Sequence, residues 1–499
     1  MRAEWPLTTP VLVTVSLALA GIAGGAAAYR PLYGLAALLG ALLLIAVLLY
    51  PAFGIYAMVA VVPITSGFQK GFPIHGVNIS EALTGVISVV VLLTVPRSTR
   101  LTWRVFDWSL LVLCSGWLIF GLLDAHQLGT PLDGLSALDP LVGPFQFLLL
   151  LRAVSAGVRT PAQRARALAV LFVASVPTDL LAYLQQARVG AVNRLITRMT
   201  GSTILQSSEY HFFRRATGPF NHWTPFAGYL MILLLVGLAC LLFEVPVALP
   251  RRLFGALLLM TAVSLILTAE LSALVGSIAG AVALGVLAGR GREALRWLLL
   301  AVVVVGAVGG EYLAKRLGTE FGSSAGTTKS LIPQTIAYRL QIWTDQYLPA
   351  IRLRPLLGWG QALPSFVSWP FTESQYVTYA MAGGIPLLLL FLAELIALFL
   401  HGRSSVALGR RWPDSPDRAT LVGLGSAVAV LAPIVAVVCL IFPYLTSGGL
   451  PDPLMITVGV LSAAAYWPAL GPAGQPLARR GDLAPGLKER RQGPLPRVS

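Results

Sequence analysis

Residues 377–400 read VTYAMAGGIPLLLLFLAELIALFL. A hydrocarbon layer about 30 Å thick is crossed by about 20 mostly apolar helical residues, and this run supplies them without one lysine or arginine. A helix of a soluble domain keeps one polar face for water, and this one has none. The same reading extends along the chain to fourteen stretches: 9–28, 32–50, 52–67, 80–95, 107–123, 140–154, 167–186, 223–243, 253–268, 271–289, 297–312, 377–400, 419–445 and 453–470. The least marked are 52–67, 140–154 and the tight pair around Glu270, so the expectation is an all-α, polytopic transmembrane bundle of about 12–14 spans.

Composition agrees. Of 499 residues, 56% are hydrophobic and 11% charged, against roughly 25% charged in a soluble domain. The net charge of +15 comes from basic residues set between apolar runs, a distribution that fits a lipid bilayer and argues against a nucleic-acid partner. With the N-terminus in the cytoplasm, the loops, helix ends and tail on that side hold 23 of the 36 lysines and arginines. The short loops on the other side keep only Arg30 and Lys70, the asymmetry that orients spans. The expectation is therefore an uncleaved first span, both termini cytoplasmic, one membrane domain over 1–470, and a basic disordered tail at 471–499. Cys114, Cys240 and Cys439 lie inside apolar runs without metal-ligand or redox spacing.

Two outer loops, 187–222 and 313–376, are too long to be plain connections. Residues 333–353 read as an amphipathic helix with Ile336, Leu340, Trp343, Tyr347 and Ile351 on one stripe. Residues 190–200 read as a second, and both are expected at the outer membrane surface. The chain has no Walker loop, dinucleotide fingerprint or zinc spacing, which argues against a pump driven by ATP. Three outer segments carry candidate chemistry. Residues 209–222, EYHFFRRATGPFNH, set Arg214, Arg215, Asn221 and His222 at the rim of a span. Arginine's planar fork matches phosphate oxygens, although a lone arginine often only snorkels to headgroups. Residues 338–345 put Arg339 on the polar edge of the amphipathic helix with Trp343 nearby, and 354–360, RPLLGWG, form a turn. Residues 371–376, FTESQY, put Glu373 at a helix N-terminus, where a carboxylate can also simply cap, with Tyr376 just beyond. Asp179 and Glu270 are carboxylates within or between spans, where charge is costly and often functional. For His75, His126, His211 and His222, each taken singly, an exposed or hydrogen-bonded role is a plainer reading than catalysis.

Together Arg-Ala-Thr-Gly-Pro-Phe-Asn (215–221), Arg-Leu-Gln-Ile-Trp (339–343), Pro-Leu-Leu-Gly-Trp-Gly (355–360) and Glu-Ser-Gln-Tyr (373–376) with Gly383-Gly384-Ile385 resemble the O-antigen ligase and polymerase superfamily. The resemblance covers about 200–400 and implies a glycosyltransferase of the C type, acting at the outer face of the bacterial inner membrane. It implies a donor glycan on undecaprenyl diphosphate, with no nucleotide sugar, no cofactor and no essential metal. The acceptor is another lipid-linked glycan in polymerases, the lipid A core in ligases and a protein in some relatives. Arg215 and Arg339 match the family's two functional arginines and would hold the leaving diphosphate, with Arg214 in support. Ligases carry a histidine where this chain has Glu373, which makes Glu373 the expected general base and favours polymerisation over ligation. Asn221, His222, Trp343, Tyr376, Asp179 and Glu270 are the expected lining of the substrate site. A transporter of a polyprenyl-linked glycan or another anion is the rival class. Carriers often show internal repeats and midplane charge, whereas here the charge lies in the outer loops.

Overall fold

The computed structural model describes residues 44–69, 78–94, 103–129, 135–206, 215–292, 333–360 and 362–467, with isolated positions at 40, 42 and within 296–318. The expected spans 9–28 and 297–312, most of 32–50, and the tail 471–499 lie outside the described residues, as do Arg214, His75 and His211. Every regular element described is a helix. In chain order they are α1 Pro51–Thr65, α2 Ile79–Leu93, α3 Val105–Leu128, α4 Leu135–Val142, α5 Phe145–Gly157, α6 Pro161–Val173, α7 Ser175–Gln186 and α8 Gly190–Thr200. There follow α9 Trp223–Leu242, α10 Arg251–Thr268, α11 Leu271–Leu287, α12 Gln334–Ile342, α13 Leu348–Leu353, α14 Gln375–Arg410, α15 Pro416–Val438 and α16 Pro451–Tyr466. Six described stretches are long and apolar enough to cross a membrane: α3, α6 running into α7, α9, α10, α14 and α15. The chain is a multi-pass, all-α membrane protein.

Local chemistry explains where these helices depart from the apolar runs. The run 140–154 is interrupted at Gly143 and Pro144, so α4 ends at Val142 and α5 starts at Phe145. Proline lacks the N–H that a continuous helix needs. The run 419–445 ends as a helix at Val438. Beyond it Pro443 and the left-handed Gly448 and Gly449 (φ 73° and 79°) wind the chain back toward Ser66. The last run stops at Tyr466.

α9 is the hub, buried on nearly every side and packed against α10, α11, α15 and α16. Lipid tails are as apolar as leucine, so helices in a bilayer associate by close packing of small residues. α14 and α15 do this at Gly402 and Gly425, where a Cβ on Gly402 would stand 2.5 Å from the Ala429 nitrogen. At one end of the bundle sit the basic helix termini, tied by buried pairs of Arg164 with Asp417 and of Arg152 with Asp107 (3.3 Å). The other end gathers the N-termini of α9, α11 and α14 and the α10–α11 turn.

α14 is broken at Gly383 (φ −150°) and Gly384 (φ 66°). A break in a spanning helix exposes backbone groups that lipid cannot satisfy. The 355–359 segment satisfies them: Trp359 N donates to Met381 O (2.6 Å) and Ile385 N to Pro355 O (2.7 Å). A side chain at Gly384 would come within 2.5 Å of Pro355 O, and one at Gly358 within 2.5 Å of Met381 O. The two glycine-containing stretches of the sequence are thus the two halves of one lock.

Candidate active site

The α10–α11 hairpin makes the floor. Ala269 ends α10 in the left-handed region (φ 47°), and Glu270 occupies the cap position of α11. Residues 215–222 cross over this turn, held by Ala216 N donating to Leu267 O (2.9 Å). Gln185 secures the same segment from α7, its Oε1 accepting from Thr217 N and Gly218 N at 3.0 Å each. Arg215 is thereby fixed. Its Nε donates to Thr268 O (2.9 Å), and its Nη2 to Ala269 O (3.0 Å) and Glu270 Oε2 (2.8 Å). Its guanidinium carbon stands 4.1 Å from the Trp223 ring centre, a cation–π contact. Glu270 also accepts from Thr224 Oγ1 (3.2 Å) and Ser272 Oγ (2.9 Å), and Ser272 meets the Tyr444 hydroxyl at 3.0 Å. Burial alone would raise the Glu270 carboxyl, but the Arg215 charge and the Ser272 bond outweigh it and hold it below the ordinary carboxylate range.

The second pair hangs from the arm formed by α12, α13 and the wide turn between them. Arg339 Nε and Nη2 both donate to Glu373 Oε2 at 3.3 Å. Glu373 itself has φ 55°, a backbone state that costs a non-glycine residue of order 1 kcal/mol and clusters at functional sites. Trp343 Nε1 donates to Thr372 O (2.8 Å) and so holds the loop that presents Glu373. The arm is anchored at its base by Arg354, 3.1 Å from Asp124 and stacked over Trp359.

The Arg339 charge also reaches Glu270 and His222, more weakly than that of Arg215, so the two pairs lie at the same end of the bundle. His222 caps α9, its Nδ1 accepting from Thr224 N (3.1 Å), so in the neutral ring Nε2 carries the proton. Burial, and next the Arg215 charge, push its pKa well down, which keeps it neutral at physiological pH. Three helix N-termini and two arginines face this region, an arrangement suited to an anion. Among the described residues, no group of three His, Cys, Asp or Glu side chains is placed to hold a metal ion.

Residues 255–392 match the family model described as O-antigen ligase. Over this stretch the chain is similar to the O-antigen ligase/polymerase superfamily. No curated protein matches the chain at a significant level. The ligase-type segment contains Glu270, Arg339, Trp343 and Glu373, while Arg215 and His222 enter the site from outside it.

Not every expected lining residue reaches this site. Tyr376 points into the bundle, its hydroxyl donating to Ala436 O (2.8 Å) and its ring against Phe391. Asp179 is buried between α7 and α10, accepting from Ser175 and Thr261 at 3.3 Å each. Asn221 is exposed and contributes a carbonyl, which accepts from Ser202 Oγ (2.5 Å). The expected stripe on 333–353 is kept only in its second half, where Tyr347 is buried and Trp343 and Ile351 pack beside it. Residues Trp343–Tyr347 form a π-helical turn, which inserts a residue into the helical repeat. Ile336 and Leu340 are left 38% and 45% exposed, while Ile342, Tyr347 and Ala350 are buried. Thr224, Ser272 and Tyr444 were not foreseen. Ser272 stands two residues from Glu270 and could have been, but Tyr444 is brought in from 172 residues away.

Proposed function

We propose that this protein is a glycosyltransferase of the bacterial inner membrane that joins undecaprenyl-diphosphate-linked oligosaccharides into a polymer. The convergence of Arg215–Glu270 and Arg339–Glu373 at one end of the bundle, partly within the ligase-type segment, carries the reading. The basic opposite end is assigned to the cytoplasm by the charge asymmetry of short loops. That assignment turns the site outward, toward the leaflet where a flipped lipid-linked glycan resides.

In this reading the donor diphosphate enters between Arg339 and the Arg215 floor. Arg339 is the more exposed arginine, 18% against 6% for Arg215. Diphosphate oxygens compete with Glu373 for its guanidinium and free the carboxylate. Glu373 then takes the proton of an acceptor hydroxyl as general base. The hydroxyl oxygen forms the new bond to the anomeric carbon as the bond to the diphosphate breaks. The leaving diphosphate keeps the electron pair, and its growing charge is met by cations already in place. Neutral His222 can donate from Nε2 to a phosphate or sugar oxygen.

Ligation is the second reading, favoured by the description of the matched family. It uses the same donor and a different acceptor. Purified protein given lipid-linked oligosaccharide, with and without a lipid A core acceptor, separates the two. A ladder from donor alone, lost in Arg215→Ala and Arg339→Ala, supports the polymerase. A single adduct that needs the added acceptor means ligase. Absence of transfer in both, with donor moved across a vesicle membrane, means a carrier.

A further inference from the structure

α8 carries Arg194 and Arg198 one turn apart, and Arg188 precedes it in the left-handed region (φ 66°). No aspartate or glutamate occurs from Leu180 to Gln206. At this end of the bundle Arg215, Arg339 and Arg354 each face a carboxylate. Arg188, Arg194 and Arg198 form no ion pair among the described residues. Two like charges at i and i+4 repel, a cost that a bound anion would reverse.

α8 is a built element, not a loose surface anchor. Its apolar residues Val192 and Ile196 are buried with Leu205 against Leu181, Leu184 and Ile204. Its last turn is pinned to the chain beyond α1, with Gln69 N donating to Met199 O and Gln69 Nε2 to Arg198 O, both at 2.9 Å. The guanidinium face is therefore set outward. Asn193, Arg194, Thr197, Arg198 and Leu205 line a cleft of about 250 Å³. Just past the helix, Ser202 bonds to the carbonyl of Asn221, next to His222 of the site. At about 1.5 Å rise per residue, Arg198 and Arg194 lie about 3 and about 9 Å before the end of the helix at Thr200.

We infer that Arg194 and Arg198 form a second anion site, which holds the lipid-borne phosphate of the acceptor beside the donor site. This rests on the transferase reading above. An enzyme joining two lipid-linked glycans must seat two phosphate groups in the same leaflet. The pairs at the centre take one, and the cleft on α8, whose arginines pair with no carboxylate among the described residues, takes the other.

The test counts bound lipids by native mass spectrometry on the full chain in detergent, with undecaprenyl phosphate as the probe. Wild type is expected to retain two lipids, Arg194→Gln/Arg198→Gln one, Arg339→Ala one, and the combined variant none. Glutamine keeps helix propensity and removes only charge, and circular dichroism checks the fold. Two lipids retained by the α8 variant, or one by wild type, overturn the site. Displacement of the second lipid by phosphatidylglycerol at equal concentration also overturns it, because the occupant is then bulk headgroup. In the transfer assay the α8 variant raises the acceptor KM about 10-fold, as expected for lost charge-assisted bonds, and leaves the donor KM unchanged. Lipid counting needs no catalysis. Loss of the second lipid site with transfer intact sinks only this inference, whereas absence of transfer with two lipids bound sinks only the transferase reading.

Discussion

The two arginine–carboxylate pairs are made of the same residues and built in opposite ways. Arg215 and Glu270 meet on a hairpin between helices, 6% and 14% exposed at 2.8 Å, with two backbone carbonyls, a threonine and a serine completing the set. Arg339 and Glu373 meet at 3.3 Å between an arm and a loop, 18% and 20% exposed, with a single carboxylate oxygen shared by two donors. The first pair is locked because many bonds must break together to move it. The second can open at the cost of two long hydrogen bonds. A fixed charge suits stabilising a leaving group, and a pair that opens suits a base that must be released.

Replacing Glu373 by alanine tests that division most sharply. Transfer should fall by about 10²–10⁴-fold, the usual worth of a general base, with the melting temperature of the purified protein little changed. Undiminished transfer would remove Glu373 as the base and turn attention to Glu270. Arg215→Ala should instead strip both activity and stability. It leaves the Glu270 carboxylate buried without its partner, a loss of about 3–5 kcal/mol. Arg215→Ala/Glu270→Gln should recover stability but not transfer, read by thermal unfolding beside the glycan gel.

Gly384→Ala comes next. The residue sits at φ 66° with Pro355 O where its Cβ would go, and the strain is worth about 1–3 kcal/mol. It should loosen the arm and thus the Arg339 pair, so limited proteolysis should cut within 333–360 faster while the helix content stays. Equal protease resistance would separate the arm from the break in α14.

The smallest effect is a pH dependence. The folded Glu270 carboxyl lies below its ordinary value of 4.5. Its stabilisation is therefore full above that value and is lost as pH falls through the lower folded value. Wild type should be more stable than Glu270→Gln near neutrality, and the gap in melting temperature should close toward pH 3. A constant gap would mean that the carboxylate charge contributes nothing.

Much of the site could be read from the chain because charge in the wrong place is conspicuous. Arg215, Glu270, Arg339 and Glu373 each interrupt or border an apolar context, and all four converge. Their pairing could not be read. The partners are 55 and 34 residues apart, and either arginine could have faced either carboxylate. Tyr376 and Asp179 misled for a related reason. A polar residue at a span's edge turns toward substrate or toward a neighbouring carbonyl according to which helix lies beside it, here α15 and α10.

The sequence alone determined that the chain is an all-α membrane protein, because the length of an apolar run is a local property measured against the thickness of a bilayer. It also marked the charged segments between spans and the glycine stretches. Only the tertiary structure decided that 355–359 seals the break in α14, that the arm buries Tyr347 with Ile342 and Ala350 but leaves Ile336 and Leu340 exposed, and that one ion pair is locked and the other open. Each of those depends on backbone groups brought together from distant positions, and a hydrogen bond closes only when both partners have been placed.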